Sequence, residues 1–164
     1  MRAAGRGTVW VSIIGVLVVT AYAALAAVQI TVWTPLAAVP GLALGEIRAE
    51  MASAGEHPGE AWVVTFLGAG VVIAIAAAIV LIRGRAHPAL ATIVFASILM
   101  MGGPAFFVAS FGPGMSLADT FFVSAGVALP GIAPFYLTSA LMVPAIAAAG
   151  VVWTLSLRRI AVAV

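Results

Sequence analysis

Few residues in this 164-residue chain can do chemistry, and two short stretches bring candidate groups together. Glu56-His57-Pro58-Gly59-Glu60 offers an imidazole and two carboxylates, donor types that hold divalent metals. One histidine in a Pro-Gly turn lacks the several fixed ligands of a built site, so Glu56, His57 and Glu60 read as an exposed hydrophilic turn. No metal is expected. The only other histidine, His87, lies in Arg85-Ala86-His87-Pro88, at the opposite end of an intervening apolar run. The two rings are not expected to meet.

The second stretch is Ser116-Leu117-Ala118-Asp119. Ser116 with an acid three residues later has the pattern of a helix cap, here opening a short helix that ends before Pro130. Asp119 is followed by Phe121 and Phe122, and an anion beside aromatic rings suits a cationic group, which makes Asp119 the leading single functional candidate. Glu46 and Glu50, four residues apart on one helical face, repel modestly and read as a solvated face.

The missing residue types narrow the chemistry further. With no cysteine there is no thiolate nucleophile, no iron-sulfur ligand and no Cys-type zinc site. All seven basic residues are arginine, so neither a Schiff base nor a P-loop lysine exists. No histidine or acid falls within a long apolar run, which argues against haem ligation, intramembrane proteolysis and ion-coupled transport. The chain is therefore expected to be no enzyme and to carry no cofactor.

What remains for the apolar regions is polar punctuation and aromatic surface. Gln29 is the costliest polar residue to bury there, having two donors and an acceptor to satisfy, and is assigned to helix-to-helix bonding or headgroup contact. Gly102-Gly103-Pro104 interrupts a long run: Pro104 lacks an N–H and its ring opposes the Met100 carbonyl, which predicts a kink or an unwound turn. Such breaks sometimes form transporter sites. Phe106, Phe107 and Phe111, with Phe121, Phe122, Phe135 and Tyr136, predict an aromatic cluster beyond the break, able to take an acyl chain, a ring or another subunit.

The elements that must position these residues follow from composition. Only 7% of the chain is charged, against roughly 25% in soluble domains, and 65% is hydrophobic. With a mean hydropathy of +1.27, too little charge is left to cover a surface in water. An all-α fold follows, a polytopic four-helix bundle in the membrane, because helices alone satisfy every backbone group of a crossing segment internally. Crossing takes roughly 20 residues, and four runs qualify: 9–33, 61–82, 88–111 and 131–157, joined by outer connections 34–60 and 112–130 and an inner turn 83–87. Within the first connection, Leu42 to Ala54 reads as a short amphipathic helix with Leu44, Ile47 and Met51 on its buried face.

Arg2, Arg6, Arg83, Arg85, Arg158 and Arg159 fall on one side of these spans, whereas Arg48 and all five acids fall on the other. The positive-inside rule then places both termini in the cytoplasm of a cell carrying the chain in its plasma membrane. Trp10 and Trp153 lie at the inner boundaries and Trp33 and Trp62 at the outer ones, as interfacial indoles should. A competing reading takes Arg2, Arg6, the run from Val9 to Val19 and Ala21-Tyr22-Ala23 as a cleaved signal peptide, but the run continues past the usual h-region. Arginine and alanine richness without lysine accords with a GC-rich bacterial genome. Seven scattered arginines and a formal charge of +2 make no basic stripe for nucleic acid.

Small residues at helical spacing, Ala23 and Ala27, Gly70, Ala74 and Ala78, Ala145 and Ala149, favour close helix contact. The sequence thus points to a non-catalytic membrane subunit or scaffold, held by small-residue and aromatic faces to other subunits or to copies of itself. An uncoupled transporter or channel for a weakly polar or lipid-like solute at the third-helix break is the alternative, and a lipid-modifying enzyme at the outer face stands third.

Overall fold

In a computed structural model describing residues 5–123 and 130–162, the chain is helical, with no strand among the described residues. Four helical stretches are long and apolar enough to cross a membrane: Arg6–Ala38, Glu60–Arg83, Pro88–Phe121 and Ala133–Ser156. Their cores coincide with the four expected runs, and two extend further. Arg2 and the 124–129 part of the expected 112–130 connection lie outside the described residues.

The first stretch comprises α1 (Arg6–Val28), a π-helical segment (Gln29–Trp33) and α2 (Thr34–Ala38). The expected span stops at Trp33, with Pro35, Pro40 and Gly41 together ending the helix. Pro35 instead stands in the first turn of α2, where a missing N–H costs little. A proline ring also opposes the carbonyl four residues back, here Thr31, and the wider π turn immediately before it accommodates that conflict. The helix finally ends at Val39, followed by Pro40 and by Gly41 at φ +100°.

The amphipathic helix is present as α3 (Leu44–Ser53). Ile47 and Met51 are buried against Leu117, with Ala38, Val39 and Phe121 packed around them, and Leu44 is half-buried. Glu46 reaches back to accept the Ala43 N–H at 2.7 Å, which caps α3. A left-handed Gly55 closes the far end, with Glu56 N–H donating to Met51 C=O at 2.8 Å.

Next come α4 (Glu60–Arg83) and α5 (Pro88–Met100), joined by a tight turn in which Arg85 adopts φ +53°. His87 caps α5, its Nδ1 accepting the Ala89 N–H at 3.2 Å. The third stretch breaks at Met101 and resumes as α6 (Gly102–Phe121). The break thus lies directly before Gly102-Gly103-Pro104, where an interruption is expected. Pro104 sits in the first turn of α6, where its missing N–H is harmless.

The expected helix opening at Ser116 and Asp119 is not formed, because α6 runs through Pro113 to Phe121. The helix thereby exceeds the expected span 88–111 by ten residues. Packing of Leu117 on α3 and of the Pro113 ring on Gly59 holds the helix together instead. A short 3-10 turn (Pro130–Ile132) leads into α7 (Ala133–Val162); Pro134 falls in its first turn and Pro144 in its interior.

The third stretch is the centre of the packing. Of its most apolar window 39% is buried, against 17–22% for the other three. Helices α1 and α4 pair, α1 and α5 pair, and α7 lies along α5 and α6. At the arginine-bearing end the core holds Val19, Ala74, Ala78, Ala91, Phe95 and Leu99. At the acidic end it holds Ala26, Ile30, Val63, Leu67, Phe106 and Phe135. Gly15 lets α1 meet α5 closely: a Cβ there would stand 2.3 Å from Cγ of Phe95. Ala74, Ala78 and Ala149 are buried inside the chain, so these small residues serve contacts between its own helices.

Candidate functional site

The break in the third stretch is where three helices converge. Gly102 lies beneath the ring of Tyr22 from α1, close enough that a Cβ would stand 2.7 Å from Cζ. Gly103 donates its N–H to Ser139 Oγ of α7 at 2.6 Å. The Ser139 hydroxyl in turn has Leu99 C=O at 3.1 Å and Phe135 C=O at 3.3 Å as acceptors. One side chain therefore serves backbone groups on both sides of the break. The Tyr22 hydroxyl donates to Phe135 C=O at 3.2 Å, the carbonyl that the Ser139 hydroxyl also faces.

Aromatic packing extends this junction. The rings of Phe106 and Phe135 stack at 4.6 Å, Tyr22 meets Phe135 edge-on at 5.4 Å, and Tyr136 meets Phe106 edge-on at 6.0 Å. The expected cluster is thus divided. Phe106 and Tyr136 belong to the junction, whereas Phe107 and Phe111 pair on the outward face of α6 at 6.0 Å. Phe121 packs toward α3. Phe122 is 93% exposed at φ +54°, outside any cluster. Tyr22 and Ser139 were readable in sequence only as minor polar residues. What links them to the break is tertiary proximity across more than 30 residues, for which the sequence carries no signal.

Beside the junction, α1, α4 and the start of α6 enclose an apolar groove of about 490 Å³ lined by Tyr22, Phe66, Gly70, Ile73, Met101 and Gly102. Its hydroxyls are engaged by backbone: Tyr22 as above, and Ser97 with Ile93 C=O at 2.8 Å. Other hydroxyls in the apolar helices behave alike. Thr20, Thr92 and Thr138 bond to the carbonyl four residues back, and Thr8 donates to Ala86 C=O at 2.6 Å. Ser12 is buried without a partner among the described residues.

The acidic residues do not assemble. Among the described residues no three of His, Asp, Glu and Cys come together as metal ligands. His57 is exposed, and Glu60 forms an ion pair with Arg48 that ties α3 to the start of α4. Asp119 is exposed in the last turn of α6 and caps no helix. His87 lies at the other end, its ring 6.0 Å from that of Trp153.

Gln29 opens the π segment and is only 4% exposed. Its Nε2 donates to Thr34 Oγ1 at 3.2 Å. In an α-helix residues five apart stand roughly 140° around the axis from each other; the π turn brings these two to one face. Compared with known proteins, this chain matches no family model, no curated protein and no solved structure.

Proposed function

We propose that this chain is a non-catalytic multi-pass subunit of the plasma membrane, with both termini cytoplasmic, that associates laterally with other membrane proteins or with copies of itself. The observation that carries the reading is the fate of the polar groups at the helix break. Gly103 N–H and Leu99 C=O are both engaged by Ser139, so a neighbouring helix closes the break at these two groups, which favours a close helix junction over a permeation site. Helix α6 meanwhile presents Phe107, Phe111 and Met115 outward at four-residue spacing, each more than 40% exposed. A ridge of this kind suits packing against another helix, where aromatic and van der Waals contact supplies the association energy.

The orientation rests on the charge distribution. Arg83 and Arg85 lie at the end of the molecule opposite Glu46, Glu50, Glu56, Glu60 and Asp119, and arginines near span ends favour the cytoplasmic side. Because the chain has no cysteine, single cysteines at positions 57 and 84 report topology directly. A membrane-impermeant maleimide applied to intact cells should label position 57 and spare position 84; the reverse pattern overturns the orientation.

Association is tested by extracting the full chain in polymer-bounded native lipid particles, with a photocrosslinking residue in place of Phe107 or Phe111. Crosslinked species larger than the 16.5 kDa chain are expected from both positions. A chain that stays monomeric and uncrosslinked under these conditions refutes the reading.

A further inference from the structure

Gln29 has bonding capacity that its neighbours leave unused. A primary amide offers two N–H donors and a carbonyl with two lone pairs. Among the described residues Gln29 meets one partner, Thr34, through one N–H. Its carbonyl oxygen is turned toward Gly131, where the absence of a side chain makes room: a Cβ would stand 2.6 Å from Oε1. Gln29 as a whole is only 4% exposed, its Oε1 is not among the fully enclosed atoms, and it meets no donor among the described residues; an amide oxygen left so is costly where the surroundings are hydrocarbon.

This amide faces a groove of about 480 Å³. One wall is a lane of residues four apart, Leu25, Gln29, Trp33 and Ala37, and the other is the start of α7, with Pro134 and Phe135. Four-residue steps drift around an α-helix, and the π turn from Gln29 to Trp33 offsets the drift and keeps the lane on one side. The lane is about 18 Å long, the length of an extended chain and not of a compact polar solute. Among the described lining residues Gln29 is the one side chain with a hydrogen-bond acceptor, and Trp33, one turn further out, has the amphipathic ring that favours headgroup depth.

We propose that this groove binds a neutral long-chain lipid with a free hydroxyl, of the diacylglycerol class, whose O–H donates to Gln29 Oε1 while its acyl chain lies along Leu25 and Phe135. The depth of the amide selects the class. A phosphate headgroup is held out in water, and the glycerol backbone of an ordinary diacyl phospholipid has no O–H to donate. A lipid without a headgroup carries its hydroxyl at the level of the ester groups, one turn inside an interfacial tryptophan. Among the described residues the groove has no cationic side chain, which leaves an anionic headgroup without a counter-charge.

Trp33 provides the readout. The full chain carrying Trp10→Phe, Trp62→Phe and Trp153→Phe, in phosphatidylcholine vesicles, is titrated with diacylglycerol brominated on its acyl chains, and with the same lipid acetylated on its hydroxyl. The free-hydroxyl lipid should quench Trp33 saturably, with about fivefold higher apparent affinity than the acetate, the worth of one neutral hydrogen bond. Gln29→Leu should make the two indistinguishable, and Gly131→Ala, which crowds Oε1, should weaken the free-hydroxyl lipid alone. Equal quenching by hydroxyl, acetate and brominated phosphatidylcholine in the parent chain overturns the proposal, and that comparison needs no variant at Gln29 to fold.

Discussion

Ser139 Oγ lies 2.6 Å from the amide nitrogen of Gly103 and 3.1 Å from the carbonyl oxygen of Leu99, so one hydroxyl on α7 serves both ends of a broken helix. Ser139→Ala leaves both backbone groups without that partner in a buried position. Hydrogen bonds between apolar-embedded helices are worth about 0.6–2 kcal/mol, and an unsatisfied buried donor about 1–3 kcal/mol. The variant should therefore lose about 1–2 kcal/mol, read as a lower midpoint in denaturant titration of the detergent-solubilised chain. An unchanged midpoint would mean that the break is satisfied some other way.

Gly15 and Phe95 form the tightest approach between α1 and α5. Gly15→Leu must drive the helices apart, since even a Cβ would stand 2.3 Å from Cγ of Phe95; overpacking of this kind costs about 1–3 kcal/mol. Gly15→Ala combined with Phe95→Leu should recover part of what Gly15→Ala loses alone. Strict additivity in that cycle, measured by thermal melting, would refute the contact.

The seat of α3 depends on its apolar face more than on its ion pair. Arg48 and Glu60 are each about two-fifths exposed, and pairs of that kind contribute about 0–1 kcal/mol. Ile47, by contrast, is wholly buried against the α6 extension, and truncating such a side chain costs about 2–5 kcal/mol. Ile47→Ala should release α3, seen as faster amide exchange over residues 44–53, whereas Glu60→Gln should leave exchange there nearly unchanged. The opposite ranking would show that charge holds α3.

Arg85 stands in the left-handed region, at φ +53°, just past the end of α4. Its N–H bonds to Ile82 C=O at 3.2 Å, and Ala86 N–H to Leu81 C=O at 3.0 Å, the pattern that glycine usually completes. Arg85→Gly relieves a cost of about 1 kcal/mol and should raise the unfolding midpoint. The same change removes one arginine from the charge bias and should increase the fraction of chains labelled at position 84 in intact cells.

Much of this architecture could be read before any coordinates. The four long helices and the buried face of α3 follow from hydropathy and period, because those signals sum over many residues. The two charged ends follow from composition alone. The observed helices depart from the expected bounds where local helix breakers are outweighed. Pro35 and Pro113 are penalties on a local scale, but the π turn before the first and the packing of Leu117 and Gly59 around the second outweigh them. At Gly102-Gly103-Pro104 an interruption was foreseen, but its closure by Ser139 was not, since that partner is 36 residues away in the chain. The part Tyr22 plays was not legible for the same reason, although it touches Gly102 and Phe135 alike.

The third stretch runs from Pro88 to Phe121, 34 residues or about 50 Å of nearly continuous rod, where a hydrocarbon layer is about 30 Å deep. For a chain seated in a bilayer, its last turns stand clear of the acyl region with α3 fastened to them, like a crossbar near the top of a mast. Tilting the mast is the usual response of an over-long helix to a thinner membrane. The crossbar would swing with it, turning local membrane thickness into an angle.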